Sequence, residues 1–388
     1  MPTTGEHQLD RLSALPDSLL HTIMSFLTAQ EAVQTCVLSQ RWRNLWSSMP
    51  CLDIDQPEFK VRGSIWDNQR HGRATESAKF EEFVNSLLMF HSAQSLDKFR
   101  FHVSCIHDFN VVERWLRRGI KYCPQVLEIS RSGPIRFYGL PNLGSGACRL
   151  KRLHLVAISL KGSFTQELSS GCPVLGDLTL ERCHLSAPEI TSCTLKNLVV
   201  IDCITYSGNL LAISAPALTT FHLVITAVGS AWYGLLVHEM PSLVKASICL
   251  KSVRGSASNS VKGPYKLLGS LTNVRKLELT GSNTLLILRE GSDAFPTFCN
   301  LRTLLFDGCD LSDNFQMLGR FLNNSPSLEK LILQYCKLPE GSRKRKRTGN
   351  PKRWTEIKYK EDDVHLLFGL LSGVWKSLQK TSIMLTKG

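Results

Sequence analysis

The chain has 388 residues, of which 43% are hydrophobic and 20% are charged, and this apolar content excludes a wholly disordered protein. Lys and Arg number 46 against 33 Asp and Glu, giving a formal net charge of +13, but seven of the cations fall within residues 342–353. Without that stretch the net charge is only +6 (13 minus 7), which excludes a uniformly basic nucleic-acid-binding protein.

The first ten residues are polar and lack the apolar stretch of a secretory signal. The 13 cysteines are odd in number, scattered along the chain and never spaced as C-x-x-C. We therefore expect the protein to occupy a reducing compartment and to lack structural disulfides.

Residues 9–50 predict three short helices. The first begins near Pro16 or Asp17, the second covers about residues 29–38, and Ser39 is a candidate cap for the third. A segment of about 40 residues seldom folds stably without a partner, a metal or a disulfide. Its apolar residues outnumber what so small a core can bury, which indicates a partner interface. A helical cap docked on the rest of the chain is the alternative.

Two longer helices are expected next, one of them in a stretch (residues 51–95) that we interpret as a linker and the helical start of an array. Apolar residues follow helical spacing at Phe80, Phe83, Val84, Leu87 and Leu88, and again at Val111, Val112, Trp115 and Leu116.

A short motif, apolar-x-x-apolar-x-apolar, returns many times between residues 96 and 340. Clear copies begin at Leu150, Leu175, Leu195, Leu218, Val274, Leu301 and Leu328, and weaker ones at Leu96, Leu127 and Leu243. The period-two core of each copy predicts a short strand with one buried face. Unrelated amphipathic strands are the alternative, but the number of copies favours a true repeat.

A cysteine often follows the second strand leucine by three residues, at Cys183, Cys203, Cys309 and Cys336. This arrangement is the leucine-rich-repeat pattern, L-x-x-L-x-L-x-x-N/C-x-L. Because each such repeat contacts mainly its neighbours, the pattern predicts a curved solenoid with a strand-lined concave face.

Residues 203–238 contain no Asp, Glu, Lys or Arg, a length that exceeds the roughly 20 residues of a membrane helix. Polar residues and Pro216 interrupt the stretch, so buried strands fit it better.

After the repeats we expect a basic linker at residues 341–353 and a cap at residues 354–388, built as a strand, a helix opening at Glu361 and a closing strand at residues 381–385. The linker is either a solvated loop, a nuclear localisation signal or a nucleic-acid contact. No aromatic residue lies within it, which disfavours nucleic acid, and we place nuclear import ahead of a plain loop. The candidate import residues are Arg343, Lys344, Arg345, Lys346, Arg347, Lys352 and Arg353.

No catalytic motif is evident. Residues 144–149 begin like a dinucleotide-binding loop but place Arg149 in the third glycine position, and Walker A, H-E-x-x-H and G-x-S-x-G sequences are missing. Cys105, with His107 and Asp108 nearby, fits ordinary loop chemistry better than a nucleophile with its base. We predict no metal site, no cofactor and no enzymatic activity.

One segment carries a specific resemblance. The sequence L-P-D-S-L-L-H-T-I-M-S-F-L-T-A-Q-E-A-V-Q-T-C-V-L-S-Q-R-W-R-N-L-W, residues 15–46, resembles an F-box. With leucine-rich repeats behind it and a C-terminal segment that resembles the FBD region, the whole chain is similar to the plant F-box/leucine-rich-repeat family. The resemblance implies an α/β fold in which a three-helix F-box (9–50) precedes an irregular leucine-rich-repeat solenoid (96–340) and a strand-helix-strand cap.

The same resemblance implies a function. F-box segments dock on Skp-type adaptors within cullin-based ubiquitin ligases, so a non-catalytic substrate receptor is expected, in the nucleus, the cytoplasm or both. The residues expected to face the adaptor, or to buttress that face, are Leu15, Pro16, Leu19, Leu20, Ile23, Val37, Leu38, Trp42 and Leu45. The repeats would bind a target protein, with His154, Thr179 and His222 as candidate contacts. A repeat scaffold unconnected with ubiquitination is the alternative.

Overall fold

The computed structural model describes residues 12, 14–59, 69–104, 109–132, 138–186, 189–205, 211–227, 235–238, 240–252, 267–285, 288, 295–313, 315–337 and 382–386. The fold is α/β, as expected, with parallel strands forming its main sheets. The chain divides into two units, residues 1–175 and residues 176–388.

The first unit opens with short helices: α1 (Asp17–Met24), α2 (Ala29–Gln34) and two 3-10 segments, Thr35–Val37 and Trp42–Ser48. The expected third α-helix is therefore a 3-10 helix, and Ser39 does not cap it, since Arg41 occupies the cap position without a side-chain hydrogen bond. The apolar spacing explains the difference. Trp42 and Leu45 are buried three residues apart, and side chains at this spacing line up along a 3-10 helix.

Two longer helices, α3 (Gln69–Phe90) and α4 (Phe109–Ile120), confirm the helical spacing found in the sequence. Their buried faces meet around Trp115. The Trp115 ring lies 6.0 Å from the rings of Phe80 and Phe101, measured between centroids, and its Nε1–H donates to Asn85 Oδ1 at 2.8 Å. An aromatic cluster thus joins the helices to the sheet, and its one polar group has a partner.

The main sheet of the first unit is parallel, in the order β1 (Cys51–Asp55), β2 (Lys98–Val103), β3 (Val126–Arg131) and β5 (Arg152–Val156). Strand β1 was not predicted, although Met49, Leu52 and Ile54 fit the apolar-x-x-apolar-x-apolar motif. The smaller elements of the unit are β4 (Tyr138–Gly139), which pairs with β6 (Ile158–Leu160), a 3-10 turn at Gly144–Ala147, and α5 (Phe164–Gln166), which continues as a π turn.

The main sheet of the second unit is also parallel and follows the repeat motif from copy to copy. Its strands are, in spatial order, β7 (Asp177–Glu181), β10 (Asn197–Ile201), β13 (Thr220–Ala227), β15 (Lys245–Ser252), β16 (Lys276–Thr280), β17 (Thr303–Asp307), β18 (Lys330–Gln334) and β19 (Ser382–Thr386).

Shorter elements complete the second unit. Two small parallel sheets contain β8 (His184–Leu185) with β11 (Ile204–Thr205), and β9 (Glu189–Thr191) with β12 (Leu211–Ser214) and β14 (Leu235–Val237). The described helices of this unit include α6 (Leu267–Ser270) and α7 (Gln316–Asn323). The uncharged stretch 203–238 therefore forms strands where it is described, as predicted. None of the described helices has the length and apolarity that a membrane crossing requires.

The strand register confirms the repeat. The central apolar residues of successive motif copies in the second unit are direct partners in the sheet: Leu178, Leu198, Phe221, Ala246, Leu277, Leu304 and Leu331. All of them are buried, so one face of the sheet forms the core of the unit.

A left-handed residue ends several of the repeat strands. The residues with positive φ directly after β5, β7, β10, β16, β17 and β18 are Ala157, Arg182, Asp202, Gly281, Gly308 and Tyr335. In four cases, at positions 182, 202, 281 and 308, the backbone N–H of this residue donates to a carbonyl of the next strand, at 2.7–2.9 Å. The turn therefore keeps the main-chain hydrogen bonds running between repeats.

The repeated cysteine comes next and points into the core. The thiol of Cys203 donates to the carbonyl of Leu180 at 3.4 Å, and the thiol of Cys336 donates to the carbonyl of Phe306 at 3.4 Å. Burial raises the pKa of Cys336 to about 11, so the thiol stays protonated and keeps its donor. This is the physical reason why the motif favours cysteine at this position.

Strand β19 overlaps the predicted closing strand at residues 381–385 and pairs in parallel with β18. The predicted strand at 354–360, the helix opening at Glu361 and the basic linker at 341–353 lie outside the described residues.

Candidate functional site

The N-terminal helices are held by local capping interactions. Helix α1 follows Pro16 and carries Asp17 in its first turn, where the helix dipole favours a negative charge. Helix α2 begins with a reciprocal capping box, in which the Glu31 N–H donates to Thr28 Oγ1 and the Thr28 N–H donates to Glu31 Oε2 at 3.0 Å. Arg41 Nη2 lies 2.6 Å from Asp17 Oδ1, an ion pair that ties the start of α1 to the approach to the 3-10 helix.

A small core lies between these helices. Its side chains are almost completely inaccessible to solvent and are all apolar: Leu20, Met24, Ala29, Ala32, Trp42, Leu45 and Met49. The apolar content of residues 12–49 exceeds this core, as the sequence indicated.

The surplus apolar residues are exposed together on the N-terminal segment. Of the eleven large hydrophobic residues that are exposed in the described part of the chain, six lie between residues 12 and 38: Leu12, Leu19, Ile23, Phe26, Val37 and Leu38. Phe26 is 84% exposed and Val37 is 83% exposed, although such side chains are usually buried. Clustering of this kind marks a protein-interaction surface, and we call these six residues the apolar set.

The structure divides the nine sequence-predicted site residues into two groups. Leu20, Trp42 and Leu45 belong to the buried core, whereas Pro16, Leu19, Ile23, Val37 and Leu38 are exposed and Leu15 is half-buried. The exposed group can contact a partner directly, and the buried group can only support the surface from behind. The sequence alone did not make this division.

Leu12 and Phe26 were not among the predicted site residues. Leu12 precedes α1, and Phe26 lies two residues beyond its end, although Phe26 continues the helical spacing of Leu19 and Ile23. The signal in the sequence is the apolar spacing for Phe26 and, for Leu12, a large apolar side chain in a segment too small to bury it.

The outward face of the first unit's sheet is polar, and its charges are largely paired. Arg100 lies 2.8 Å from Asp53 Oδ2 and 3.1 Å from Asp55 Oδ2, and His102 Nδ1 lies 3.3 Å from the same Asp55 oxygen. Burial raises the pKa of the Asp53 carboxyl, against the opposing effect of Arg100. These contacts join β1 to β2, so this network has a structural role.

The three residues proposed from the sequence as target contacts do lie on outward strand positions. His154 is half-buried on β5 in the first unit, and Thr179 and His222 are half-buried on β7 and β13 in the second. They alternate with buried apolar residues and so point away from the core of their own unit.

Other sequence-based candidates do not form a site in the described residues. The candidate import residues at 343–353 and the group at Cys105, His107 and Asp108 lie outside the described residues. The glycine-containing segment at Gly144–Ala147 is a single 3-10 turn. Within the described residues, no three His, Cys, Asp or Glu side chains are grouped as metal ligands.

Comparison with family models gives two matches along the chain. Residues 12–53 match the F-box domain, and residues 137–360 match the model described as "At1g61320/AtMIF1, LRR domain". The F-box match covers all of the apolar set, and the repeat match begins at β4.

Similar proteins are found in plants. The chain is 32% identical to "MEIOTIC F-BOX protein MOF" of Oryza sativa subsp. japonica over 360 residues, which cover 87% of this chain and 74% of that protein. It is 30% identical to "Putative F-box/LRR-repeat protein At3g58880" of Arabidopsis thaliana over 364 residues, covering 84% and 77% of the two chains. It is 28% identical to "Putative FBD-associated F-box protein At3g50710" of the same plant over 370 residues, covering 86% and 78%.

Proposed function

The chain belongs to the plant F-box/leucine-rich-repeat protein family, and from this membership we propose that it is the substrate-recognition subunit of a Skp–cullin–F-box ubiquitin ligase. Its F-box binds a Skp-type adaptor, and its leucine-rich repeats bind a target protein. The subunit has no catalytic role of its own. It accelerates ubiquitin transfer by proximity, because it raises the effective concentration of target lysines near the conjugating enzyme.

The apolar set is the observation that carries this proposal. A segment with a core of only seven apolar side chains leaves six large ones exposed, at a cost in water that only a partner removes. Burying one such side chain fully is worth about 1.5–3 kcal/mol, so a few of them can dominate an interface. The buried residues Leu20, Trp42 and Leu45 keep the exposed ones in position.

The test is co-expression of the full chain with a plant Skp-type adaptor, followed by affinity capture and gel filtration. The wild type is expected to form a stoichiometric complex. Val37→Glu places a charge in the apolar set and should abolish the complex, whereas Val174→Glu changes an exposed valine outside the F-box and should not. Both variants should melt at the wild-type temperature, since both positions are exposed.

The full chain is needed because the F-box leads directly into the sheet. Met49 is buried in the helical core, and β1 begins two residues later at Cys51. Deleting the helices would therefore also disturb the edge of the first unit. A wild-type chain that fails to bind adaptor, or a Val37→Glu chain that binds as well as wild type, would contradict the proposed function and favour a repeat scaffold unconnected with ubiquitination.

We also propose that the basic run at residues 343–353 directs import into the nucleus. Five consecutive cations followed by two more form the kind of cluster that import receptors bind. A fluorescent fusion in which Arg343–Arg347 are changed to Gln should shift from the nucleus to the cytoplasm of plant cells. An unchanged distribution would show that the run is not an import signal.

A further inference from the structure

The second unit's sheet presents an outward face on which cationic and aliphatic side chains lie next to each other. Resting on the proposed role as target receptor, we propose that this face binds a target segment in which acidic residues stand beside aliphatic ones. The face is defined by six residues on five neighbouring strands: His222, Lys245, Lys276, Glu278, Leu305 and Ile332.

The register brings these residues together. Lys245 on β15 is the direct partner of Lys276 on β16, and Leu305 on β17 is the direct partner of Glu278 on one side and Ile332 on the other. Neighbouring strands lie about 4.8 Å apart, so the charged group and the aliphatic pair are adjacent on one continuous surface. A single peptide segment can therefore contact both.

The charged group has more cations than anions. Lys276 Nζ lies 2.8 Å from Glu278 Oε1, and Lys245 Nζ lies 3.8 Å from the same oxygen, so two ammonium groups share one carboxylate. The two lysine side chains remain 43% and 42% exposed. A second carboxylate, supplied by a partner, would balance the charge and give Lys245 a closer acceptor than the one it has.

The protonation state of this group is stable near neutral pH. Burial works in the opposite direction, but the hydrogen bond from Lys276 and the charges of both lysines hold the pKa of Glu278 below its usual value. Burial lowers the pKa of His222, with Lys245 adding to the effect and Glu278 opposing it. Near neutral pH Glu278 is therefore ionised, and this one carboxylate is shared by the two lysines when no partner is bound.

The surroundings add to the positive charge. Over the strands of this sheet from β7 to β18, basic residues outnumber acidic ones at two positions, the first residue of the strand and the residue before it. Two acidic residues occur there, Asp177 and Glu329, and six basic ones: Lys196, Lys245, Arg275, Lys276, Arg302 and Lys330. Glu329 is engaged by Arg302 at 2.5 Å, and Asp177 accepts from Asn197. The field at this edge of the sheet attracts an acidic partner.

The aliphatic pair determines which kind of acidic partner fits. Leu305 and Ile332 occupy outward positions, where a solvated strand usually carries polar residues, and both are half-buried. Burying them is favourable for a partner that carries a Leu, Ile or Val side chain next to its acidic residue. A nucleic-acid backbone gains nothing from this pair, and its phosphates would meet the ionised Glu278. The chemistry therefore favours a protein segment.

Two cations on the equivalent face of the first unit have closer carboxylate partners than Lys245 has. Arg100 there is engaged by two carboxylates at 2.8 and 3.1 Å, and Lys98 lies 3.0 Å from Glu128. These two cations are thus engaged in ion pairs across the strands, whereas Lys245 and Lys276 share a single carboxylate.

Selection from a phage-displayed library of random 12-residue peptides on the immobilised full chain tests the proposal. The expected consensus contains Asp or Glu beside Leu, Ile or Val. A synthetic peptide of that consensus, measured by fluorescence anisotropy, should bind about tenfold more weakly to the double variant Lys245→Gln/Lys276→Gln and to Leu305→Ser. The matched control is Lys121→Gln/Lys161→Gln, which removes the same charge from exposed sites in the first unit and should bind like wild type.

Each outcome decides the matter. A consensus without acidic residues, binding unaffected by both test variants, or an equal loss in the control would overturn the proposal, as would displacement of the peptide by a single-stranded oligonucleotide at equal concentration. Neutral substitutions keep the aliphatic stems, and thermal melts verify that the variants are folded. Adaptor capture is measured separately on the same protein, so a failure of this proposal and a failure of the proposed function are distinguishable.

Discussion

Leu19 and Leu20 provide a sharp test of how the N-terminal segment divides its apolar residues. They are adjacent residues of the same type on α1, but Leu19 is 49% exposed and Leu20 is completely buried. Replacing either with Ala has the same small effect on intrinsic helix propensity. Any difference between the two variants therefore reports what the side chains contact.

Leu20→Ala is expected to change stability, and Leu19→Ala is expected to change affinity for the adaptor. Leu20→Ala leaves a cavity in a core of only seven side chains and should lower the stability of the segment by about 2–5 kcal/mol. Leu19→Ala removes little that is buried in the free protein. About half of the side chain remains to be covered by an adaptor, which is worth about 1 kcal/mol, or about a fivefold change in affinity.

The assay combines thermal unfolding with calorimetric titration of a Skp-type adaptor at two temperatures. Leu19→Ala should melt like wild type and bind about fivefold more weakly at both temperatures. Leu20→Ala should unfold its F-box at a lower temperature, and its loss of affinity should grow on warming, because unfolding competes with binding. If Leu19→Ala destabilises the protein as much as Leu20→Ala, or binds adaptor with wild-type affinity, the division into core and apolar set is wrong.

Two further predictions concern stability. Burial lowers the pKa of His91 from 6.5 to about 4, so the unfolded chain binds a proton more readily than the folded protein does. The free energy of unfolding is therefore at its full value above pH 6.5 and falls by about 2 kcal/mol between pH 7 and pH 5. Denaturant unfolding of His91→Leu should show a flatter pH dependence over this range, and the same change at the exposed His238 should leave it unaltered. A Cβ at Gly119 would overlap the Phe99 ring, so Gly119→Ala should lower the free energy of unfolding by about 1–3 kcal/mol. A Cβ at Gly319, in α7, would meet open space, so Gly319→Ala should raise it by about 0.5–1 kcal/mol. Chemical denaturation measures both changes.

The repeat strands could be predicted from the sequence because their signal is local. An apolar-x-apolar core alternates with the period of a strand, and burial on one face requires that alternation wherever the strand lies in the sheet. The buried cysteine could be predicted for a similar reason, since a small thiol donor recurs at one position of the motif. Strand β1 was missed although Leu52 and Ile54 carry the same alternation. What the sequence does not show is that Arg100, 45 or more residues away, pairs with the acidic residues Asp53 and Asp55 of this strand.

The functional surface was harder to predict because periodicity does not separate a core from an interface. Leu19, Leu20 and Ile23 all fit the apolar side of one helix, and only the packing of the Trp42–Ser48 segment decides which of them is covered. The outward face of the second unit needed the register as well. Lys245, Glu278 and Leu305 are far apart in the sequence and become neighbours only because the repeat steps are absorbed by the turns and helices between strands.

The left-handed turns after the strands keep the same backbone conformation with different side chains. Five residue types occupy this position, and four of them, Ala157, Arg182, Asp202 and Tyr335, accept a conformation that costs an L-residue about 1 kcal/mol relative to glycine. At Arg182 and Asp202 the main-chain N–H bond and the buried cysteine that follows hold the turn although the residue is not glycine. At such turns a mutation can therefore change the left-handed residue without moving the strands. Recognition can evolve there on a fixed frame, and substitution by glycine remains an unused source of stability.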